Sequence, residues 1–359
     1  MKKQKFYLFV FAWLLLGTMA VISSCSKTND SGTPQVNADK AKLTALIDSV
    51  NQVSNAAVEG TKPGKYAVGS KATLKTAIDL ATATKNDAAA SQAAVNTAVA
   101  NLRRAAQAFN TSLIAEVSVA NLVAQWKFNG NANDATANAN NGVLKSGPIG
   151  PATAPGDGGT LPTLVADRFG NAGQAYEFTN GAYIEVPYKV ALNPQAITIS
   201  TWCKHFDTNE NNYMVSLNRW NGYKFQLQGA DKPFFTATTT PGIFDKDAET
   251  GIIAANTWTH IATTYVDGTL KFYINGALIK TWTDTKGAMK AVPEPVNLAI
   301  GQQLPKDVYN KVPTAGQAAD YFQYYGPAFF KGQLDDIRIY NRALTDAEVQ
   351  SIFTIESTQ

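Results

Sequence analysis

The sequence WTHIATTYVDGTLKFYINGALIKTW, residues 258–282, contains three short apolar runs separated by two tight-turn signals. The turn signals are Asp267-Gly268 and Asn275-Gly276, dipeptides that favour two-residue hairpin turns because Gly adopts positive φ without steric cost. The first run is rich in β-branched and aromatic residues, and the middle run alternates apolar and polar residues, as half-buried strands do. This stretch therefore predicts a meander of three antiparallel strands.

Short runs of the same kind recur through the second half of the chain. They lie at 122–128, 183–186, 197–202, 213–217, 296–300 and 334–340. Because no helical periodicity separates them, they predict an all-β antiparallel sandwich of two sheets. Only the tail is predicted to be helical, since Thr345 and Glu348 form a capping box ahead of apolar residues that can pack back onto the sandwich.

The first half of the chain has a different composition. Only two aromatic residues, Tyr66 and Phe109, lie between residues 38 and 118, whereas thirty lie beyond residue 120. Apolar residues at helical spacing predict three amphipathic helices, and the abundant Ala indicates a slim bundle with a thin core. We therefore expect a three-helix bundle at 38–118 and the sandwich at 119–359.

The N-terminus has the three-part layout of an export signal. Five residues rich in Lys precede a stretch of seventeen uncharged residues, which ends in the motif ISSC at 22–25. An aliphatic residue and two small ones before a Cys resemble a bacterial lipobox, in which the Cys is lipidated after cleavage. We predict a signal peptide at 1–24, lipidation of Cys25 and a flexible tether at 25–37. A retained transmembrane anchor is the alternative, because seventeen residues are borderline for spanning a bilayer.

Charge and cysteine content exclude several classes of protein. The net charge of +3 comes from Lys2, Lys3 and Lys5, so the rest of the chain is neutral and has no basic cluster for nucleic acid. Two His and two Cys exclude a zinc finger, an iron–sulfur protein and a disulfide scaffold. With Cys25 lipidated, Cys203 is the remaining thiol and is predicted to be a small core residue.

A set of short motifs carries a family resemblance. They are WKF at 126–128, ND at 133–134, NNG at 140–142, AYEF at 175–178, ITISTW at 197–202, WTHIA at 258–262, YING at 273–276 and LDDIRIYNRAL at 334–344. In order and spacing they resemble the concanavalin A-like lectin/glucanase domain of the laminin-G/pentraxin type. The resemblance implies a jelly-roll sandwich used mostly for carbohydrate or protein binding, frequently with one structural calcium ion near the paired chain ends.

Two weaker resemblances concern the first half of the chain. The helical block is similar to the small modules called FIVAR, which implies a spacer, with a sugar-contacting role as the alternative. The N-terminus is similar to lipoproteins of the Bacteroidetes, which implies an outer-membrane lipid anchor facing the cell exterior.

The resemblance also implies a set of calcium ligands. Asp134, Asn141 and Asp336 stand at positions that often supply oxygen ligands in the family. The acidic run at 245–249 is superficially similar to a calcium loop, but the bidentate Glu expected at the twelfth position is missing. We expect this run to be a solvated loop.

Carboxylate placement argues against catalysis. Glycoside hydrolysis needs two carboxylates facing one sugar. Glu177 and Glu185 stand singly in their strands, and Asp335 and Asp336, as neighbours in a strand, are expected to point to opposite faces. His260 has no Ser or Cys nucleophile pattern nearby and is assigned an internal hydrogen-bonding role. We therefore predict a protein that is not an enzyme.

A long loop at 303–330 departs from the family pattern and is rich in aromatic residues. Sugar rings stack on aromatic faces while amides and carboxylates bind their hydroxyl groups, so the loop is a candidate ligand site; a hydrophobic lid is the alternative. A second candidate is the Asn-Gly turn at 221–222, where an exposed aromatic side chain often binds. The predicted ligand-binding residues are Trp220, Tyr223, Asp320, Tyr321, Gln323, Tyr324 and Tyr325.

These observations together predict a monomeric, lipid-anchored envelope protein that binds a polysaccharide or other glycan without cleaving it. The anchor would be its only contact with the membrane, and nucleic acid is not an expected partner. Because the chain is neutral, binding is expected to be largely independent of salt. A protein-binding adhesion module and a glycoside hydrolase with an unconventional carboxylate pair are the alternatives.

Overall fold

The computed structural model describes residues 38–115, 117–151, 156–209, 211–309, 311–326 and 328–358. The predicted signal peptide at 1–24, Cys25 and the tether at 25–37 lie outside these residues. In the described ranges, no helix is both long enough and apolar enough to cross a membrane.

Three of the helices follow one another at the start of the described chain. The helices are α1 (Ala41–Ala56), α2 (Ser70–Asn86), α3 (Gln92–Thr111) and α4 (Asp346–Glu356). The first three bury one apolar stripe each in a shared core, where Tyr66 stacks on Phe109 with ring centroids 4.2 Å apart. Ser91 caps α3 by accepting a hydrogen bond from the Ala94 amide. The predicted three amphipathic helices are confirmed.

The rest of the chain is built from short antiparallel strands. They are β1 (Leu122–Trp126), β2 (Val143–Ser146), β3 (Pro148–Ile149), β4 (Gly156–Asp157), β5 (Thr163–Val165), β6 (Ala175–Phe178), β7 (Ala182–Val186), β8 (Ile197–His205), β9 (Asn212–Leu217), β10 (Tyr223–Gln228), β11 (Lys232–Thr239), β12 (Gly242–Asp247), β13 (Thr259–Val266), β14 (Thr269–Ile274), β15 (Ala277–Trp282), β16 (Leu298–Ile300) and β17 (Gly332–Tyr340). The predicted meander at 258–282 is β13, β14 and β15, joined by the two expected turns.

Two large sheets stack face to face. One has the order β15-β14-β13-β8-β17-β6-β5, with β1 also paired to β17, and the other has the order β12-β11-β10-β9-β16-β7-β2. Apolar side chains from both inner faces, among them Trp126, Phe178, Phe225 and Phe272, form one buried cluster between the sheets. This arrangement confirms the antiparallel sandwich with a helical N-terminal part.

The tail helix α4 covers the outer face of the sheet that contains β17. Its capping box forms as predicted, because the Thr345 hydroxyl accepts from the Glu348 amide while the Glu348 carboxylate accepts from the Thr345 amide. Val349 and Ile352 pack into a buried cluster with strand residues. The Ala115 amide, just beyond α3, donates to the Ser351 hydroxyl and joins the two halves of the chain.

The acidic run at 245–249 differs from the prediction. Residues 242–247 form the edge strand β12, paired to β11, instead of a solvated loop. The Asp245 carboxylate accepts a hydrogen bond from the Thr236 hydroxyl, and the Trp282 indole donates to the Asp247 carbonyl. Pairing along the edge therefore orders a segment whose composition alone indicated a loop.

Candidate functional site

The aromatic loop lies over part of the outer face of the β10-containing sheet. Val296, Leu304, Val308, Tyr321 and Phe322 form a small buried cluster of their own. The loop is tied to the sheet by the Ser216 hydroxyl, which donates to the Gln303 carbonyl over 2.7 Å, and by the Lys306 amide, which donates to the Tyr183 hydroxyl. Most of the loop is thus a lid over strands β16, β9 and β7.

Three predicted ligand-binding residues are part of the interior. Tyr321 and Tyr324 are only 3% and 1% exposed, and Tyr223 is fully buried. The Asn218 amide donates to the Tyr321 hydroxyl, and the Tyr223 hydroxyl donates to the Leu192 carbonyl. The prediction was wrong for these three, because aromatic composition does not tell whether a ring faces the sheet or the solvent.

The other four predicted residues lie together at the edge of the lid. Trp220 and Tyr325 are half-buried and meet edge to face, with ring centroids 5.0 Å apart. The Tyr325 hydroxyl donates to the Asp320 carboxylate over 2.7 Å, and Gln323 is exposed beside them. Two segments that the sequence offered as separate candidates therefore form a single site.

Arg219 holds these two segments together. It lies in a short 3-10 turn, Arg219–Asn221, which links β9 to β10. Its buried guanidinium donates to the Gln303 side chain and to the carbonyls of Asp320, Tyr321 and Gln323. The guanidinium carbon also lies 4.7 Å from the ring centroid of Trp220 and 5.2 Å from that of Tyr325. Arg219 was not among the predicted site residues, because an Arg in a polar turn is ordinarily exposed.

Beside Trp220 the outer face of the sheet continues with largely covered side chains, among them Lys224 at 5% and Tyr213 at 2% exposed. Alternate residues of β10 belong to the core, namely Tyr223, Phe225 and Leu227. The residues between and after them therefore point outward, and these are Lys224, Gln226 and Gln228. Tyr213 of β9 and Phe234 of β11 flank Lys224. We refer to Trp220, Tyr325, Tyr213, Phe234 and Lys224 as the aromatic patch.

The predicted calcium ligands do not fit a calcium ion. Both carboxylate oxygens of Asp134 accept hydrogen bonds, from the Gln125, Thr136 and Asn140 amides and the Thr136 hydroxyl. The Asn141 side-chain oxygen accepts from the Asp134 amide, so these two residues close a turn. Asp336 binds Arg168 instead. No group of three or more His, Cys, Asp or Glu suited to a metal occurs in the described ranges.

Asp335 and Asp336 do not point to opposite faces. The pairing of β17 with β8 is irregular between Asp335 and Arg338, and Asp336 has a φ of 44°. Both carboxylates bind one guanidinium, with Arg168 nitrogens 2.6 Å from Asp335 and 2.9 Å from Asp336. Burial and the adjacent Asp336 raise the pKa of Asp335 to about 8. The bulge explains why strand alternation gave the wrong orientation.

Two further buried groups lie close to this cluster. His260 is fully buried beside Trp202 and Phe353, and neither ring nitrogen has a hydrogen-bond partner within the described part of the chain, so the predicted hydrogen-bonding role was wrong. Burial lowers the pKa of His260 to about 3. Cys203 is fully buried, as predicted, and burial raises the pKa of its thiol.

Part of the sandwich is similar to known proteins. Residues 178–350 match the Laminin_G_3 family of the concanavalin A-like lectin/glucanases superfamily. A 125 kDa surface-layer protein of Lysinibacillus sphaericus is 32% identical over 96 residues, which are 27% of this chain and 8% of that protein. A gellan lyase of a Bacillus species is 38% identical over 81 residues, 23% of this chain and 3% of the lyase. These alignments thus span less than a tenth of either relative.

Among solved structures, one that is similar to this chain is domain 4 of a GH43 extracellular arabinanase from Geobacillus stearothermophilus, determined in complex with arabinotriose. The identity is 22% and the TM-score 0.46, over 64% of this chain and 97% of that domain.

Proposed function

We propose that this protein binds carbohydrate through the aromatic patch and does not cleave it. The observation that carries the proposal is the pairing of Trp220 with Tyr325, two partly exposed rings from distant segments fixed by one buried Arg219. Sugar rings present apolar C–H faces that pack on such rings. Because the rings are already held in place, binding costs little side-chain entropy.

The polar surroundings of the patch suit hydroxyl groups. Gln323 and Asp245 are exposed, and Asp320 is partly exposed beside Tyr325. Amides and carboxylates at the rim of a shallow aromatic surface fix the orientation of a sugar ring. The match of residues 178–350 to a lectin/glucanase superfamily supports the same class of ligand.

The catalytic alternative is less well supported by the site. Asp335 and Asp336 are the neighbouring carboxylates that converge, and their side chains are only 4% and 8% exposed and bound to Arg168. A glycosidase needs its two carboxylates open to a sugar. We therefore interpret this cluster as a structural one.

We further propose that the protein is a lipoprotein anchored through Cys25 to the outer membrane and displayed outside the cell. The three helices would then act as a spacer that holds the sandwich away from the membrane. This part of the proposal is supported by the sequence motif at 22–25 alone.

A glycan array probed with the purified protein tests the proposed function. Trp220→Ala should weaken binding about tenfold or more, because truncating an aromatic anchor commonly costs over 1 kcal/mol. Tyr325→Phe keeps the ring and should retain most of the affinity, and a chelator should have no effect. Phe169→Ala, which removes a ring that is 43% exposed elsewhere, is the matched control.

Two results would contradict the proposal. One is unchanged binding after Trp220→Ala, which would show that the glycan binds outside the aromatic patch. The other is a folded protein that binds no glycan on the array, which would favour the adhesion alternative.

A further inference from the structure

Lys224 is an unusual residue for the position that it occupies. Lys224 is only 5% exposed. Its ammonium nitrogen lies 5.2, 5.5 and 5.3 Å from the ring centroids of Tyr213, Trp220 and Phe234, respectively. An ammonium has three hydrogen-bond donors, and Lys is almost never buried without a partner. Within the residues that the structure describes, this ammonium donates no hydrogen bond and forms no ion pair.

Arg219 adds a second positive charge at the same place. Its guanidinium is fully buried, and its hydrogen bonds go to three backbone carbonyls and the Gln303 amide oxygen. Its Nε has no hydrogen-bond partner among the described residues. The nearby carboxylates are engaged with hydroxyl groups, Asp245 with Thr236 and Asp320 with Tyr325. Neither carboxylate forms an ion pair with Arg219 or Lys224.

Buried cations elsewhere in the sandwich are neutralised. Arg168 binds Asp335 and Asp336, and Arg338 binds Glu356 at 2.7 Å. Lys224 of the aromatic patch and the adjacent Arg219 are therefore two largely buried cations without a carboxylate at ion-pair distance, although Asp245 and Asp320 act on them electrostatically from farther away. A buried charge without a counter-charge is costly, and an anionic group of a ligand would remove that cost.

We propose that the aromatic patch recognises an anionic glycan, with its carboxylate or sulfate group bound by Lys224 and its sugar ring packed on Trp220 and Tyr325. This inference rests on the proposed function and names the class of ligand. Binding of such a ligand should weaken as salt is added, in contrast to the salt-independent binding expected from the net charge. Although the chain beyond its first residues has no net charge, Lys224 and Arg219 place two positive charges at this site.

The test compares pairs of ligands that differ only in charge. A panel of hexuronic acid oligosaccharides, the same oligosaccharides with their carboxyl groups reduced to alcohols, and O-sulfated forms of the reduced ones are titrated by calorimetry into the full protein. At least one acidic form should bind about tenfold or more tightly than its reduced counterpart, the usual worth of a charge-assisted hydrogen bond. The carboxylate and sulfate arms show which anion is preferred.

Two Lys substitutions test whether Lys224 is responsible for the preference for the anionic form. Lys224→Met keeps the length of the side chain and should abolish the preference for the anionic form while retaining affinity for the reduced form. Lys145→Met removes an exposed Lys that points outward from β2 in the same sheet, and should leave the preference unchanged.

A pH series gives a second readout. Burial lowers the pKa of Lys224 to about 8, with Asp245 opposing this shift and Arg219 adding to it. Of the other groups that face it, burial raises the pKa of Tyr213 to about 12, so its phenol stays neutral over the series, and Asp245 and Arg219 are the charged groups that act on Lys224. Affinity for the anionic form should therefore be steady below pH 8 and fall above it, while affinity for the reduced form stays constant.

Equal affinity for acidic, sulfated and reduced forms across the panel would overturn this inference, and so would a preference that survives Lys224→Met. If neutral glycans bind through Trp220 regardless of Lys224, only this inference fails. If no carbohydrate binds, the proposed function fails with it.

Discussion

Arg168→Met is expected to lower the free energy of unfolding of the sandwich by about 3–5 kcal/mol, the usual cost of removing one partner from a buried ion pair. The guanidinium bridges Asp335 and Asp336 and also donates to the Glu356 carbonyl at the end of α4. All three acceptors lose their donor together. Because Asp335 lies in β17, a central strand of its sheet, the substitution should destabilise the whole sandwich.

The effect should depend on pH with a definite sign. The folded-state pKa of Asp335 is raised to about 8, above its unfolded value of about 4, so this group costs stability as pH rises from 4 to 8. Without Arg168, ionised carboxylates at this site are still less favourable. Arg168 lowers the pKa of Asp335, so this pKa is higher still in the variant, and below pH 8 both folded proteins keep the carboxyl protonated. The deficit of the variant should therefore be steady from pH 4 to about 8 and grow above pH 8, where Asp335 ionises in the parent protein before it does in the variant.

Urea unfolding followed by tryptophan fluorescence measures this deficit. Beyond the export signal, every Trp lies in the sandwich, at positions 126, 202, 220, 258 and 282, so the signal does not come from the three helices. Arg103→Met, which removes an exposed Arg from α3, is the control and should change stability by less than about 0.5 kcal/mol. A deficit below about 1 kcal/mol for Arg168→Met would show that the carboxylates do not depend on the guanidinium.

Arg219→Met is expected to release the aromatic loop without unfolding the sandwich. The substitution leaves the carbonyls of Asp320, Tyr321 and Gln323 without their buried donor. Hydrogen bonds to a charged group contribute about 1.5–3 kcal/mol, so local opening of the loop should become easier by about 2–3 kcal/mol. Amide hydrogen exchange within 311–326 should accelerate about 30- to 150-fold.

The same variant should also weaken glycan binding, although Arg219 is itself fully buried, because Tyr325 is no longer held against Trp220. Arg342→Met provides the comparison: its guanidinium pairs with Glu348 on the half-exposed surface near α4, and its loss should leave exchange in the loop unchanged. Unchanged exchange in the loop of Arg219→Met, with the global stability intact, would show that the lid is held by its apolar cluster alone.

Local patterns predicted the fold well where one physical signal dominates. The turns at 267–268 and 275–276 placed the meander, and Thr345 with Glu348 placed the start of α4. Strands β10, β11 and β12 were not predicted, since their runs are broken by polar residues such as Lys224 and Thr236 that point outward on a partly covered face. Sequence alternation cannot show that a distant loop will cover such a face.

The site was predicted in part for a similar reason. Trp220, Tyr325, Asp320 and Gln323 were identified from composition and do lie together, whereas the neighbouring Tyr324 turns inward. Their meeting depends on Arg219, whose contacts span about a hundred residues of sequence. Asp335 and Asp336 show a second limit, because a single residue at positive φ inverted the alternation on which their orientation was predicted.

The sealed environment of Cys203 has a practical consequence for spectroscopy. Thiol-specific reagents react with the thiolate. The Cys203 thiol is fully buried, and burial raises its pKa, so that little thiolate forms. In the chain beyond Cys25, a cysteine introduced at a surface position would then be the only site that takes up a spin label or fluorophore. Val312, which is 91% exposed in the aromatic loop, is such a position. A probe there would report lid motion in real time, with the native cysteine left in place.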